Sequence, residues 1–204
     1  MKICYVVTVS STVDAFFIPQ LRYLAANGFD VTVVCSPDDG LQERLGKTVR
    51  YVPIEIPRGA AVLGTVRAIK ALEIFFKAEK FDLIQYSTPN AAFCASVAAK
   101  RACCKVRNYH MMGFRYLGST GVLRTVLKML DTIACKNSTH IECVSKSNLE
   151  LGIKEKVFPS DKAVVVWNGS SGGVDLKKFD YSKGIYMMKY SELKIYTDVH
   201  DNAC

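Results

Sequence analysis

The stretch ICYVVTV, Ile3–Val9, is an apolar run near the start of the chain, and the polar turn SSTVD follows it. A run of this kind is typical of a strand that is buried on both faces, as strands of parallel sheets are. Apolar residues then recur at helical spacing between Ala15 and Asn27. Because Pro19 has no amide hydrogen, it must lie in the first turn of that helix or at a kink. Strand and helix thus follow each other directly.

The same alternation continues over the first 168 residues. Such a pattern predicts an α/β fold, a Rossmann-like parallel sheet flanked by helices, because each crossover is right-handed and covers the sheet. The predicted strands are Ile3–Val9, Asp30–Cys35, Val49–Ile56, Asp82–Tyr86, Val106–Tyr109, His140–Val144 and Ala163–Trp167. The predicted helices are Ala15–Asn27, Ala61–Lys77, Asn90–Cys103, Val122–Cys135 and a short one from about Ser147.

Composition restricts the partners and the compartment. The chain has 204 residues and a formal net charge of +8, which favours an anionic partner such as a phosphorylated substrate or an acidic membrane surface. No RNA-binding or helix-turn-helix signature is present, so nucleic acid ranks last. The eight cysteines form no CxxC pair, which argues against a zinc site or a disulfide framework and favours buried thiols in a reducing cytosol. No apolar run is long enough to span a bilayer, because Lys or Arg interrupts every candidate, and the N-terminus reads as a first strand and not as a signal peptide.

In a parallel sheet, ligands meet the loops at the carboxyl ends of the strands. The first such loop, VSSTVD, lacks the glycines of a dinucleotide site, and Asp14 would repel a pyrophosphate there. This disfavours a nicotinamide-dependent oxidoreductase, and no Walker loop is present either. The predicted site loops are Ser10–Asp14, Ser87–Asn90, His110–Gly121, Ser145–Ser147 and Asn168–Gly173.

Two of these loops carry the clearest signals. The stretch VVVWNGSSGGVD, Val164–Asp175, is a strand followed by a loop that could cradle an anion, act as a hinge or be a simple surface turn. In MMGFRYLGSTG, Arg115 and Tyr116 beside glycines suit a phosphate or sugar hydroxyls. The alternative is a solvated arginine and a packed tyrosine, and the spacing does not choose between them. His110 is the one histidine on a predicted site loop, where a lone histidine is more often a bystander than a catalyst.

Five segments in this order resemble the family 4 glycosyltransferases of the GT-B type, most of all bacterial enzymes of capsular and surface polysaccharide synthesis. The segments are MKICYVVTVSSTVDAFFIPQLRYL, FDLIQYSTPNAAF, NYHMMGFRYLGSTG, IECVSKS and VWNGSSGGVDLKKF, within about residues 1–180. The resemblance implies one Rossmann-like half of a GT-B enzyme, the half that binds the acceptor. A second domain of that family binds a nucleotide-sugar donor, and transfer retains the anomeric configuration without a metal or cofactor.

Residue by residue, the resemblance places Arg115 and Tyr116 on the Arg-Tyr that follows Gly-Phe in the family, and Ser10–Thr12 on its first cleft loop. Gly169–Asp175 falls on the segment before the interdomain crossing, so residues 1–175 are predicted as the acceptor domain and 176–204 as the crossing or a truncated tail. The predicted substrate-binding residues are Ser10, Ser11, Thr12, Ser87, His110, Arg115, Tyr116, Ser145, Gly169, Ser170 and Gly173, and the catalytic residue stays unassigned.

The sequence departs from the family pattern in three places. Gly172 stands where relatives have Asn, and Met112 where they often have His or Arg, so His110 need not inherit a catalytic role. The paired glutamates of the donor domain are missing; Glu142 and Glu150 have the spacing by chance, without the Gly-Phe-Gly context.

Two hypotheses follow from the missing glutamates. The first is an acceptor-binding half, truncated, frameshifted or split from its donor half, that is inactive alone and works on a lipid-linked glycan at the inner face of the plasma membrane. The second is a non-catalytic Rossmann-like binding or regulatory module that pairs with another transferase.

Overall fold

The computed structural model describes residues 1–59, 61–170 and 172–173. Among them, seven strands form one parallel sheet in the order β3-β2-β1-β4-β5-β6-β7. The strands are β1 Lys2–Val6, β2 Asp30–Cys35, β3 Val49–Pro53, β4 Leu83–Tyr86, β5 Val106–Met111, β6 His140–Cys143 and β7 Ala163–Val164. The helices are α1 Ser10–Phe16, α2 Ile18–Ala26, α3 Leu41–Leu45, α4 Val62–Glu79, α5 Pro89–Arg101, α6 Gly121–Asn137 and α7 Lys146–Lys154. The predicted Rossmann-like fold is confirmed.

Two apolar clusters lie on opposite faces of this sheet. One cluster packs alternate residues of β1, β2 and β3 against α1, α2 and α3, with Phe17 and Leu21 buried in it. The other packs the opposite side chains of β1 and β4–β6 against α4, α5 and α6, and alanines of α5 allow that helix to lie close to the sheet. Each connection leads to a neighbouring parallel strand except the one from β3 to β4, which crosses β2 and β1.

The first strand ends earlier than predicted, and its loop is helical. β1 stops at Val6, and the predicted cleft loop Ser10–Thr12 is instead the first turn of α1. The single predicted helix is two, because Phe17 separates α1 from α2. Pro19 lies in the first turn of α2, where a missing amide hydrogen breaks no helical hydrogen bond. The first of the two predicted placements of Pro19 is therefore correct.

Other boundaries also differ from prediction. β3 ends at Pro53 instead of Ile56, and β7 has two residues instead of five. β5 extends to Met111, so His110 lies in a strand and not in a loop. The five-residue α3 was not predicted, because it is too short to show a helical period.

The described chain up to Gly172 forms one compact unit, and Gly173–Cys204 is assigned to a second. Of that second unit, Gly173 alone is described, so the predicted segment 176–204 lies outside the described residues. Within the described part of the chain, no helix is both long enough and apolar enough to cross a bilayer.

Candidate functional site

The strand order places a crevice between β1 and β4. The chain moves from β1 through β2 to β3 on one side and then resumes at β4 on the other side of β1. Ligands of open parallel sheets bind outside the carboxyl ends of the strands at such a switch point. Thr8 follows β1 there, and Ser87 and Thr88 follow β4.

The two loops at this crevice are joined by hydroxyl groups. The Oγ1 atoms of Thr8 and Thr88 lie 2.7 Å apart, and the Thr8 amide donates to Thr88 Oγ1 at 3.2 Å. Thr88 has φ of 68°, in the left-handed region that threonine seldom adopts. We infer that these bonds help to hold the strained backbone of Thr88 immediately before α5.

His110 joins the crevice from the next strand. Its ring is 2 % exposed, and Nδ1 lies 3.2 Å from Ser87 Oγ. The edge of the ring meets the ring of Phe17, with 5.7 Å between centroids. Nε2 has no hydrogen-bond partner among the described residues.

The electrostatic surroundings of His110 favour the neutral ring. Burial lowers the pKa of His110, and the neighbouring carboxylate of Glu142 opposes this without reversing it. A neutral imidazole that is oriented by a hydroxyl can donate or accept one further hydrogen bond, which suits a sugar hydroxyl.

Ser10 contacts a different network. Its hydroxyl donates to Asp38 Oδ2 at 2.5 Å, and Arg44 bridges Asp38 and Asp14 at 3.0 and 2.9 Å. The Ser10 hydroxyl and then the Arg44 guanidinium lower the pKa of Asp38 to about 2. Ser11 is exposed and Thr12 is half-buried in the same helical turn. The Ser10 side chain thus ties α1 to the loop before α3.

A third group of predicted residues lies at the end of β6. Ser145 caps α7, accepting from the Asn148 amide at 3.2 Å, and its Oγ lies 2.9 Å from Ser147 Oγ. The Ser170 amide donates to the Val144 carbonyl at 2.8 Å. Gly169 has φ of 81°, and a Cβ there would lie 2.3 Å from that carbonyl oxygen, so only glycine fits.

The loop after Gly169 also approaches α1. A Cβ on Gly172 would lie 3.0 Å from the Phe16 carbonyl oxygen. This close approach gives a physical reason for glycine at the position where the family pattern has Asn. Gly173, with φ of 75°, belongs to the second unit.

The structure separates Arg115 from Tyr116. Both lie in the 3₁₀ turn Arg115–Gly118, where Tyr116 is fully buried beside Phe114 and under the cations of Arg124 and Lys128. Burial raises the pKa of Tyr116 to about 12. Arg115 is exposed and forms no ion pair within the described residues. Tyr116 is therefore a packed core residue, which was the alternative to a binding role, and of the two residues only Arg115 faces solvent.

Thr88 lies within the predicted site loop Ser87–Asn90, whereas sequence reasoning missed Thr8 and Phe17 at the crevice. The sequence does show a threonine shortly after each of these two strands. Only the strand order, which places β1 beside β4, brings Thr8 and Thr88 together. No cluster of three acidic, histidine or cysteine side chains that could hold a metal occurs among the described residues. Six of the seven described cysteines are buried, and Cys103 is exposed, contrary to the prediction that all are buried thiols.

The comparisons with known proteins identify the family of the chain. Residues 20–171 match the model of Glycosyltransferase Family 4, so the chain belongs to that family. It is 26 % identical over 192 residues to the capsular polysaccharide biosynthesis glycosyltransferase CapM of Staphylococcus aureus, covering 94 % of this chain and 50 % of CapM. It is 27 % identical over 173 residues to the UDP-Gal:alpha-D-GlcNAc-diphosphoundecaprenol alpha-1,3-galactosyltransferase of Escherichia coli, covering 83 % and 43 % of the two chains. The chain thus spans about half the length of these relatives.

Solved structures share the fold at lower identity. The lipopolysaccharide outer core galactosyltransferase WaaB is 14 % identical with a TM-score of 0.61, over 82 % of this chain and 46 % of WaaB. The UDP-GlcNAc 2-epimerase of Neisseria meningitidis is 19 % identical with the same TM-score of 0.61, over 82 % of this chain and 46 % of the epimerase. At such identities the likeness concerns the fold alone.

Proposed function

We propose that this domain is the acceptor-binding half of a retaining glycosyltransferase that extends a lipid-linked glycan in polysaccharide synthesis. The observation that carries the proposal is the pairing of Ser87 with a buried, neutral His110 at the switch-point crevice. Family membership supports the reaction class. The name of the Escherichia coli relative supports an acceptor that consists of a sugar diphosphate on a polyprenol.

Each residue of the crevice has a role in this proposal. His110 and Ser87 hydrogen-bond to hydroxyls of the acceptor sugar, and Thr8 and Thr88 fix the two loops that border it. Arg115, which is exposed, is available to pair with the acceptor diphosphate. No metal or resident cofactor takes part; a nucleotide-sugar is the donor and is held by a separate domain. The described domain alone would bind acceptor without transferring sugar.

The same proposal places the protein at an anionic membrane on its cytoplasmic side. The formal charge of +8 supports attachment to an anionic surface. Basic residues near an acidic bilayer contribute about 1 kcal/mol each to attachment, so several suffice for peripheral binding.

Calorimetric titration of the full 204-residue chain with the methyl ester of GlcNAc diphosphate tests the crevice. His110→Ala should weaken binding about tenfold, the loss expected for one or two hydrogen bonds in a desolvated site. His140→Ala is the matched control, because His140 is exposed on the adjacent strand β6. Equal affinity of both variants, or no binding by the wild type, would contradict the assignment.

A turnover assay tests whether the chain is inactive alone. We expect no transfer when the chain is mixed with UDP-sugars and the acceptor ester without another protein. Product formation would show that the chain transfers sugar without another protein. The proposal of an acceptor half would then be wrong.

A further inference from the structure

An apolar groove lies between the N-terminal half of α4 and the middle of α6, and α5 also lines it. Its volume is about 350 Å³, and its walls include Val62, Val66, Ile69, Phe93, Val126 and Leu130. Polar contributions come mainly from Thr65 and Asn90. A cleft of this volume lies at the low end of the range for small-molecule sites, and an apolar lining suits a hydrocarbon.

Exposed apolar side chains lie at the starts of both helices, α4 and α6, that line the groove. Val62 is 73 % exposed on α4, and Val122 is 81 % exposed on α6. Leu63 and Leu123 beside them are also exposed. Single exposed apolar residues are ordinary, but several of them in the first turns of two helices that line an apolar groove indicate a surface that contacts something apolar.

This surface lies at the same edge of the sheet as the crevice. In a parallel sheet, the helix after each strand begins at the carboxyl ends of the strands. Asn90, which lines the groove, is two residues beyond Thr88 of the crevice. Its Nδ2 donates to the carbonyls of Pro57 and Gly59 at 2.8 and 3.0 Å, so it fixes the rim that leads from the groove toward the crevice.

The charges around the groove favour an anionic neighbour. None of α4, α5 and α6 has an acidic residue in its first turn. The positive ends of the three helix dipoles are therefore not offset by carboxylates in those turns. Arg58 is exposed at the rim, and Arg115 is exposed shortly before the start of α6. An apolar groove and a positive edge together match an amphiphile with an anionic head.

We propose that this groove binds the isoprenoid chain of a lipid-diphosphate acceptor, in the units next to the diphosphate. This inference rests on the proposed function, because it assigns the lipid part of the ligand whose sugar occupies the crevice. The narrow groove holds one chain, the helix N-termini face the diphosphate, and the exposed valines and leucines enter the bilayer surface. The apolar residues carry the docking, and Lys128 of α6 does not, because it is already paired with Glu155.

The test compares the methyl, geranyl and geranylgeranyl esters of GlcNAc diphosphate, below their aggregation concentrations, with the full chain. The geranylgeranyl ester should bind at least about tenfold more tightly than the methyl ester, because each buried methylene adds to affinity. Val66→Trp should fill the groove and remove this chain-length dependence while leaving methyl ester affinity unchanged. Ile74→Trp is the control: it is equally exposed on α4 but outside the groove, and it should keep the dependence.

The outcomes separate this inference from the proposed function. If the methyl ester binds and chain length has no effect, the groove assignment is wrong and the crevice assignment stands. If Val66→Trp keeps or increases the dependence, the chain binds to a general apolar surface and the inference is also wrong. If sedimentation shows a dimer that Val66→Asp dissociates, and ester affinity does not depend on chain length, the groove is an interface between two copies and the inference is wrong. Failure of the methyl ester to bind contradicts the proposed function itself.

Discussion

The two faces of the sheet at β4, β5 and β6 are built from the same strands but differ in chemistry. On the apolar face, Ile84, Tyr86 and Tyr109 are buried against the helices α4–α6. On the polar face, Asn108 Nδ2 donates to Gln85 Oε1 at 2.9 Å and to Glu142 Oε2 at 3.3 Å. Successive side chains of a strand point to opposite faces, so one strand can serve a core and a site at once.

This difference shows where the function of the sheet lies. The polar ladder of Gln85, Asn108 and Glu142 runs across three strands and leads to Ser87 and His110. Side chains with hydrogen-bonding groups reduce the apolar area that these strands can bury. We infer that stability depends mainly on the apolar face, and that ligand binding depends on the polar one.

The largest expected effect comes from neighbouring residues of β4. Ile84 is fully buried on the apolar face, so Ile84→Ala should lower the free energy of unfolding by about 2–5 kcal/mol through lost burial and a cavity. Gln85→Ala, one residue on, removes one hydrogen bond and should cost about 1 kcal/mol. Urea unfolding of both variants checks this, and equal losses would show that the faces do not divide in this way.

Asp131 of α6 brings an acid into the apolar side. It is 1 % exposed; Oδ1 accepts from the Tyr109 hydroxyl at 3.2 Å, and Oδ2 has no partner among the described residues. Burial raises the pKa of Asp131 from 3.8 to about 6, and the Tyr109 hydrogen bond partly offsets this. The folded protein therefore favours the protonated acid. The protonated Asp131 contributes most to stability below 3.8, the pKa of this carboxyl in the unfolded chain. The contribution is lost as the pH rises through about 6, its pKa in the folded protein.

We expect Asp131→Asn to remove this loss. Relative to the wild type, the variant should gain roughly 3 kcal/mol of unfolding free energy between acid and neutral pH. Tyr109→Phe should extend the loss to higher pH, because the bond that favours the carboxylate is gone. Urea unfolding at a series of pH values measures the differences, and a constant difference between Asn variant and wild type would contradict the buried acid.

The sequence was sufficient for the fold because its pattern was simple. Apolar runs such as Asp30–Cys35, separated by helical periods, predict a parallel sheet whatever the details of the loops. The short α3 and the break at Phe17 were missed, since boundaries depend on local hydrogen bonds that a period does not encode. Pro19 was the one residue whose covalent structure gave a boundary.

The site was less predictable, because it depends on contacts between distant residues. The sequence predicts both Ser87 and His110 as site residues, yet the bond between them follows from the pairing of β4 with β5. The sequence predicts Tyr116 as a site residue together with Arg115. Nothing in the sequence shows that the Tyr116 ring is buried under Arg124. Ser10 likewise pairs with Asp38, which is distant in sequence. Residue type indicated chemistry, and packing decided which groups are accessible.

His110 on the polar face should show the opposite dependence on pH. Burial lowers its pKa, so its neutral form favours folding, and that contribution is present above the unfolded pKa of about 6.5 and lost as the pH falls. His110→Asn should cost about 1 kcal/mol near neutral pH through the lost ring contacts with Phe17. The deficit should shrink toward acid pH in urea unfolding, and a deficit that grows there would mean that the folded protein favours the charged ring.

The smallest effect is expected at the groove. Val66 and Val122 are 60 % and 81 % exposed, so Val66→Asp and Val122→Ser should change the unfolding free energy by less than about 0.5 kcal/mol. Thermal melts at two protein concentrations measure this, with Ile74→Asp as the control on the same helix. A larger loss that depends on concentration would show that the valines are buried by self-association. A stability-neutral result, together with altered binding of the long-chain ester, would separate the apolar residues that fold the domain from those that bind a ligand.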